Sequence, residues 1–542
     1  MLKLTHSSQQ GEPQDSPPQS SATNLDELLV RIQQLESAQR VREERIALLS
    51  EENQWLRQHL FGRTSEKTAR EEINPDQWRL IFNEAEVLAS EPAGETSPIE
   101  VPAHERKKRG HKPLPAHLER REELHDLPAE QKICPQDHSL LERIGEETHE
   151  QYEYIRAKVR VVVHVRPKYA CPCCHQGVRI APPPAQLIPK SIATPSLLAE
   201  VTTAKFVDGL PLYRHSKQLA RLSIPVGPAT LGHWMQELGN RHVVPLINLM
   251  QEQLLASPLV HSDETTLQVL KSEKSPTADH YIWVRLGVMP AETEPIAVPE
   301  RRIVLFTYTP YRNMEVAREL FAGFKGQLVS DGLNVYDSVA EHYQLVHGGC
   351  VAHCRRGFEE ARQVAKTNDA ATHARTALDY IRALYRIERE IQSCASAEKL
   401  AVRRERSAPI VKDFNDWLDA LAPKVWPEGK LGQAIAYAIN QREKLWKFLE
   451  HSELPIDNNA CERALRPFVT ARKVWLFCKT PAGAQASANL YSLVESARAN
   501  HIEPHAYLSY IYERLAAART VEDFEQLLPW NVKRDWAHTT AD

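Results

Sequence analysis

A chain of 542 residues is too long for one ordinary domain, and three to five modules are expected. A hydrophobic content of 42% and a charged content of 25% support packed cores, while a net charge of −4 excludes a chain-wide basic surface, so any nucleic-acid site is a local patch. Nine cysteines over this length do not make a disulfide framework, the N-terminal stretch lacks the apolar core of a signal peptide, and no segment is long enough for a membrane span; a cytoplasmic protein without a membrane partner is expected.

Residues 1–22, rich in Gln, Ser and Pro, read as disordered. Over 23–62 apolar residues recur in steps of three and four at Leu25, Leu28, Ile32, Leu35, Ile46, Leu49, Leu56 and Leu60. The same seam passes through Gln39, Arg42 and Asn53. This is the pattern of a coiled coil that joins chains into a homodimer or higher oligomer, with Asn53 fixing register. A single amphipathic helix packed on its own chain fits the pattern too. Residues 63–125 read as a helical and Pro-rich linker. Its cationic run at Arg106, Lys107, Lys108 and Arg109 suits either an arm along phosphates or a solvated tether.

Residues 126–188 change texture. Val159, Val161, Val163 and Val165 alternate with the intervening residues, which predicts a strand. It delivers the chain to Cys171 and Cys174, a Cys-x-x-Cys knuckle, while Cys134 and His138 offer a looser second one. Ligation of Zn²⁺ by these four and a zinc-ribbon-like β domain that stands without metal both fit. Residues 189–250 predict a helix, a break at 223–228 and a second helix near Ala229, the pattern of a helix-turn-helix and of helical hairpins generally.

From 251 the order of predicted elements is three strands, a helix, a strand ending in Asp331, a short helix and a fifth strand, followed by a long helical stretch. That is the element order of the RNase H-like fold, in which the first and fourth strands are neighbours. Asp263 lies in the middle of the first strand, where Asp is disfavoured unless it has a task. Asp263 and Asp331 would then face each other. Cutting or joining a phosphodiester needs an activated oxygen nucleophile and a stabilised leaving oxygen, which two Mg²⁺ (or Mn²⁺) ions held by carboxylates provide. Glu462 supplies a third acid on a helix whose start Asn458 is expected to cap. Arg463, Arg466, Arg472 and Lys473 surround it with positive charge for a DNA backbone. A solvated helix with internal ion pairs is the alternative for Glu462 alone.

The blocks "LFGRTSEK", "HSDET", "VSDGLNVYD", "GGCVAHCRRGF", "DNNACERALRP", "ARKVWLF", "YSLVESARANHIEPHAYL" and "LLPWN" resemble, in order, the motifs of the insertion sequence 66 family of DDE transposases. The resemblance implies a multidomain α+β chain. A coiled coil, a zinc-ribbon-like domain and a helix-turn-helix would precede an RNase H-like α/β catalytic core at 251–354 and 454–500, interrupted by a helical insertion at 355–453 and followed by a C-terminal helical element at 501–542. It implies the catalytic triad Asp263, Asp331 and Glu462, a Cys-x-x-His signature at Cys350 and His353, and DNA contacts from Arg355 and Arg356. It also implies a nucleoid-associated enzyme performing two-metal phosphodiester hydrolysis and transesterification. Its partners would be the terminal inverted repeats of its element, target DNA and accessory proteins of the same element. A non-cutting DNA-binding regulator and a structure-selective nuclease on the same fold remain the alternatives from the residues alone.

Overall fold

The computed structural model describes residues 29–39, 42, 159–169, 179–180, 184–290, 300–365 and 369–532. The cationic run at 106–109, the candidate zinc ligands Cys134, His138, Cys171 and Cys174, and most of the coiled-coil seam lie outside the described residues. Residues 29–39 are helical, with Leu29, Ile32 and Leu35 exposed.

The chain divides into two units, one of residues 93–182 with 219–224 and one of the remainder. In the first, Lys168–Tyr169 pairs antiparallel with Arg179–Ile180. The strand expected over the valine run is not found: residues 159–167 carry no strand, and Val161 is 88% exposed. Alternation supplies two faces, but a strand also needs a partner for its N–H and C=O groups. Among the described residues that partner begins only at Lys168.

Past residue 184 come helices α1 (Pro195–Phe206), α2 (Leu212–Arg221) and α3 (Pro228–Glu237). Thr194 Oγ1 accepts the Leu197 N–H, and Pro195 and Pro228 occupy opening positions where a missing N–H costs nothing. Ser216 Oγ donates to the Val226 carbonyl at 2.5 Å across the expected break. After α3 the chain widens into a π-helical turn, Leu238–His242, and continues as α4 (Val244–Leu255). Gly239 in that turn lies so close to Ala486 that a Cβ would stand 2.6 Å from its backbone.

The sheet comprises β1 (Leu259–Val269), β2 (Asp279–Met289), β3 (Arg301–Thr309), β4 (Gln327–Val329) and β5 (Val346–Gly348). Helix α5 (Met314–Leu320) leads into β4, and α6 (Asn334–Tyr343) links β4 to β5. Strand order is β3-β2-β1-β4-β5, with β1–β3 antiparallel and β4 and β5 parallel to β1. The first and fourth strands are neighbours, so this mixed sheet has the RNase H-like arrangement that the element order predicts. The fourth and fifth strands are shorter than expected, with three residues each. Beyond Val329, Asp331 Oδ1 accepts the Leu333 N–H at 3.1 Å, a local turn that ends the ladder.

Helices fill the rest: α7 (Val351–Val364), α8 (Asp369–Glu390), α9 (Ser396–Val402), α10 (Ala408–Leu421) and α11 (Lys430–Asn440). Phe358, Ile381, Phe414 and Leu418 are fully buried in their common core, each contributing about 1.5–3 kcal/mol. Buried Arg403 pairs with the half-buried Glu388 at 2.6 Å, and Arg403 Nη1 also donates to the Phe448, His451 and Ser452 carbonyls. Then follow α12 (Asn459–Trp475), a short strand β6 (Phe477–Cys478) parallel to the end of β1, α13 (Pro481–Ala499), α14 (Pro504–Leu515) and α15 (Val521–Glu525). Helix α13 covers the outer edge of β3. Ser492, Ser496 and Asn500 accept the Phe306, Val304 and Arg302 N–H groups at 2.8, 2.9 and 3.1 Å; Ser496 and Asn500 also donate to the Val304 and Arg302 carbonyls, and Ser492 to the Ala488 carbonyl of its own helix at 2.9 Å.

Candidate active site

The ladder between β1 and β4 pairs Leu259 with Gln327, Val260 with Leu328 and His261 with Val329. Asp263 and Asp331 each lie two residues beyond the last pair. Asp263 is inside β1 and Asp331 just past the end of β4, near enough that the Asp331 charge is felt at Asp263. Gly326 makes this register possible: a Cβ there would meet the Pro258 carbonyl oxygen at 2.5 Å.

Helix α12 lies along β1. Side chains alternate on a strand, so His261, Asp263 and Thr265 share a face. His261 Nδ1 is 3.0 Å from Asn458 Oδ1, and Arg472 Nη1 donates to Thr265 Oγ1 at 3.1 Å. Asp263 sits between these two ties. Glu462, one turn after Asn458, is 4% exposed. The expected capping role of Asn458 is not what forms: its side chain makes no cap bond to α12. It binds β1 instead, with Nδ2 donating to the Ser262 carbonyl at 2.8 Å. Asp457 does the capping, its Oδ1 accepting the Asn459 N–H at 3.0 Å and its Oδ2 the Asn459 Nδ2 at 2.7 Å. The physical reason is reach: the N-cap side chain is within bonding distance of the strand, where a buried carbonyl needs a donor.

The carboxylates feel each other. Burial pushes Asp263 well above the usual carboxylate range, and the charges of Glu264, Asp331 and Glu462 push it further. Burial also raises Glu462; Arg356 opposes this, while Asp457 and Asp331 add to it. Asp263 and Glu462, held against ionising by burial and by neighbouring acids, are what a divalent cation relieves, and carboxylate oxygens suit Mg²⁺ or Mn²⁺. The residues present therefore fit such ions.

Glu462 has two further neighbours. Its Oε2 is 3.4 Å from Arg356 Nη2, and its Oε1 is 3.5 Å from His353 Nδ1. Cys350, His353 and Glu462 each offer a ligand atom within 4.8 Å of the others'. The Cys-x-x-His signature thus lies against the third acid.

The cations divide. Arg463 and Lys473 are exposed, Arg466 and Arg472 half-buried, and Arg356 has a 47% exposed side chain. Arg355, expected among the DNA contacts, is only 7% exposed and its charge is felt at the Tyr385 hydroxyl and Glu359. It is an interior cation, because the inner face of α7 packs against α8 and α11. Glu264 is a residue that sequence reasoning missed. Tyr336 donates to its Oε2 at 2.7 Å and Arg312 to its Oε1 at 3.0 Å, on the face of β1 opposite Asp263. An acid adjacent to Asp263 inside a strand was the available signal. Tyr336, on α6, carried none.

The model of the Transposase IS66 family matches residues 190–486, more than half of the chain. The chain belongs to the IS66 family of transposases. Three further models match: the zinc-finger binding domain of transposase IS66 at 131–175, the IS66 C-terminal element at 492–530, and Transposase C of IS166 homeodomain at 48–122. The uncharacterized protein y4qI of Sinorhizobium fredii is 31% identical over 515 residues, covering 93% of this chain and 92% of that protein. From the same organism, y4jD is 30% identical over 432 residues, covering 78% of this chain and 82% of its own. A Drosophila P element transposase strand transfer complex is similar at 10% identity with a TM-score of 0.29, covering 56% of this chain and 92% of the other, too slight a likeness to carry an argument. The family implies a nuclease and transesterase activity on DNA. Among the described residues no helix is long and apolar enough to cross a membrane.

Proposed function

We propose that the chain is a DDE transposase that cuts at the terminal inverted repeats of its element and joins the freed ends to target DNA. The observation that carries this reading is the register of Asp263 and Asp331 across β1 and β4, with Glu462 brought beside them by α12. Two divalent ions, Mg²⁺ or Mn²⁺, would be held by these three acids, and when bound they activate the attacking oxygen and stabilise the leaving one. The protein's own part is orientation. His261 and Asn458 hold the start of α12 against β1, so that Glu462 meets the aspartates at a fixed depth. Arg356, Arg463, Arg466, Arg472 and Lys473 give the DNA backbone its counter-charges, with Arg356 Nη2 3.4 Å from Glu462 Oε2.

The domain layout follows the same reading. The helix pair α2–α3 is proposed to contact the repeats, since α3 buries Leu231, Trp234 and Met235 and leaves Thr230, His233 and Gln236 exposed and polar. The N-terminal coiled coil would pair subunits, so that both ends are processed together. Zinc in the 131–175 region and accessory proteins of the element belong to this proposal as well. Purified protein, a labelled duplex carrying the terminal repeat, and Mg²⁺ test it. Cleavage at the repeat boundary, lost in Asp263→Asn and Glu462→Gln with binding retained, is the expected result. Binding without cleavage, even with the accessory proteins added, would assign the chain to a non-cutting regulator.

A further inference from the structure

We propose that Cys350, His353 and Glu462 form a second metal site, of zinc type, that shares Glu462 with the catalytic centre. The three residues arrive from two elements. Cys350 is the N-cap of α7, His353 lies in its first turn, and Glu462 lies in the first turn of α12. Their ligand atoms lie within 4.8 Å of one another. His353 Nδ1 and Glu462 Oε1, 3.5 Å apart, are both buried without a hydrogen-bond partner. Buried polar atoms are nearly always bonded, and two orphans facing one another beside a thiol are an exception that needs a cause. A cation between them removes both orphans at once.

The donor set selects the cation. One sulfur, one imidazole nitrogen and one carboxylate oxygen suit Zn²⁺ and poorly suit Mg²⁺, which prefers oxygen throughout. Bonds of about 2.0–2.3 Å in a tetrahedron set ligand atoms roughly 3.3–3.8 Å apart, so the 3.5 Å edge between His353 and Glu462 already has this length. Cys350 Sγ accepts the Asn458 N–H at 3.3 Å at the helix N-terminus, while burial and the charges of Asp457 and Glu462 push the metal-free thiol well up, so that its proton would leave only with metal binding. Binding would release the Cys350 thiol proton to solvent, with His353 neutral and Glu462 ionised. Three protein ligands leave a fourth position. Next to the site is a cleft lined by His353, Arg356, Lys430 and Tyr437 among others, which gives that position access to water or a phosphate oxygen.

The inference rests on the proposed function only in treating Glu462 as a catalytic acid. Its test uses the full-length chain, stripped with a chelator, kept in excess Mg²⁺ and titrated with Co²⁺ in place of zinc. Wild type is expected to show thiolate-to-cobalt charge-transfer absorption, and Cys350→Ser and His353→Asn are each expected to take up one equivalent fewer. Thiols in the 131–175 region contribute equally to all three proteins and cancel in the difference. His353 has a side chain 24% exposed, so His353→Asn keeps the test decisive if the buried Cys350→Ser does not fold. Equal cobalt uptake and equal absorption in His353→Asn and wild type would overturn the proposal. No DNA is present, so that outcome leaves the cleavage reading standing, and absent cleavage leaves the cobalt result standing.

Discussion

The Tyr385 hydroxyl donates to Asp457 Oδ2 at 2.7 Å, both groups buried, and so joins helix α8 of the long helical stretch to the residue that caps the helix of Glu462. The helices between the fifth strand and the third acid are therefore mechanically tied to the candidate active site. Tyr385→Phe removes a hydrogen bond to a carboxylate, and a loss of about 1.5–3 kcal/mol in denaturant unfolding is expected. Cleavage should fall roughly 10–100-fold, as for other residues that hold a ligand-bearing element, while binding to the repeat duplex persists. Unchanged cleavage at full occupancy would show that α12 keeps its place without this tie.

His261 and Asn458 make a pH-dependent tie at the other side of the same helix start. Asn458 Nδ2 donates to the Ser262 carbonyl, so its Oδ1 faces His261, which must carry its proton on Nδ1. Burial drives His261 down to about 4; the Asn458 bond opposes this, and the Arg463 and Arg302 charges assist it. The folded value lies below the unfolded one, near 6.5, so the folded state binds fewer protons between them. The contribution to stability is whole above about pH 6.5 and is lost as pH falls toward 4, at about 1.4 kcal/mol per pH unit. Unfolding measured across this window should show a slope one proton smaller in His261→Asn than in wild type. Parallel slopes would mean that His261 is already protonated in the fold.

Much of this site is legible in the residues because its logic is local. An Asp inside an apolar strand, the order of strands and helices, and the spacing of Asp331 from its strand all follow from periodicity and propensity. What escapes is what depends on which side chain reaches which partner. Asn458 has the residue type of a cap yet binds the strand, and Asp457 caps in its stead. Arg355 and Arg356 are adjacent and alike in sequence, but one helical step turns the first inward and the second to the surface. The valine run at 159–166 has the alternation of a strand without a partner strand among the described residues. Period alone cannot supply a neighbour.

Asp263→Asn separates electrostatic strain from catalysis. With its folded pKa raised by burial and by Glu264, Asp331 and Glu462, the contribution of Asp263 to stability is present at low pH and is lost as pH rises through that value. At neutral pH, well above the value of an unfolded aspartate, placing Asp263 in this site therefore costs the metal-free protein stability. The Asn variant should melt at a higher temperature than wild type without metal, and Mg²⁺ should raise its Tm less. It should also lose cleavage. An Asn variant that melts lower without metal, or gains as much from Mg²⁺ as wild type does, would contradict a charge-crowded site.

The edge of the sheet provides a prediction outside the site. A strand edge exposes unpaired N–H and C=O groups that invite pairing with another chain. Helix α13 closes the β3 edge with side chains at intervals of four, Ser492 and Ser496 within the helix and Asn500 at its end, each accepting from one strand N–H, with Ser496 and Asn500 donating back to the same residue's carbonyl. Ser496→Ala leaves the Val304 N–H and C=O without that partner in a buried position, where the cost is about 1–3 kcal/mol. The double variant Ser492→Ala/Ser496→Ala should lose roughly twice as much in denaturant unfolding and should associate in a concentration-dependent way by light scattering. If the single variant unfolds at the wild-type denaturant midpoint, water or a shifted helix must satisfy Val304, and the serines are then packing residues only.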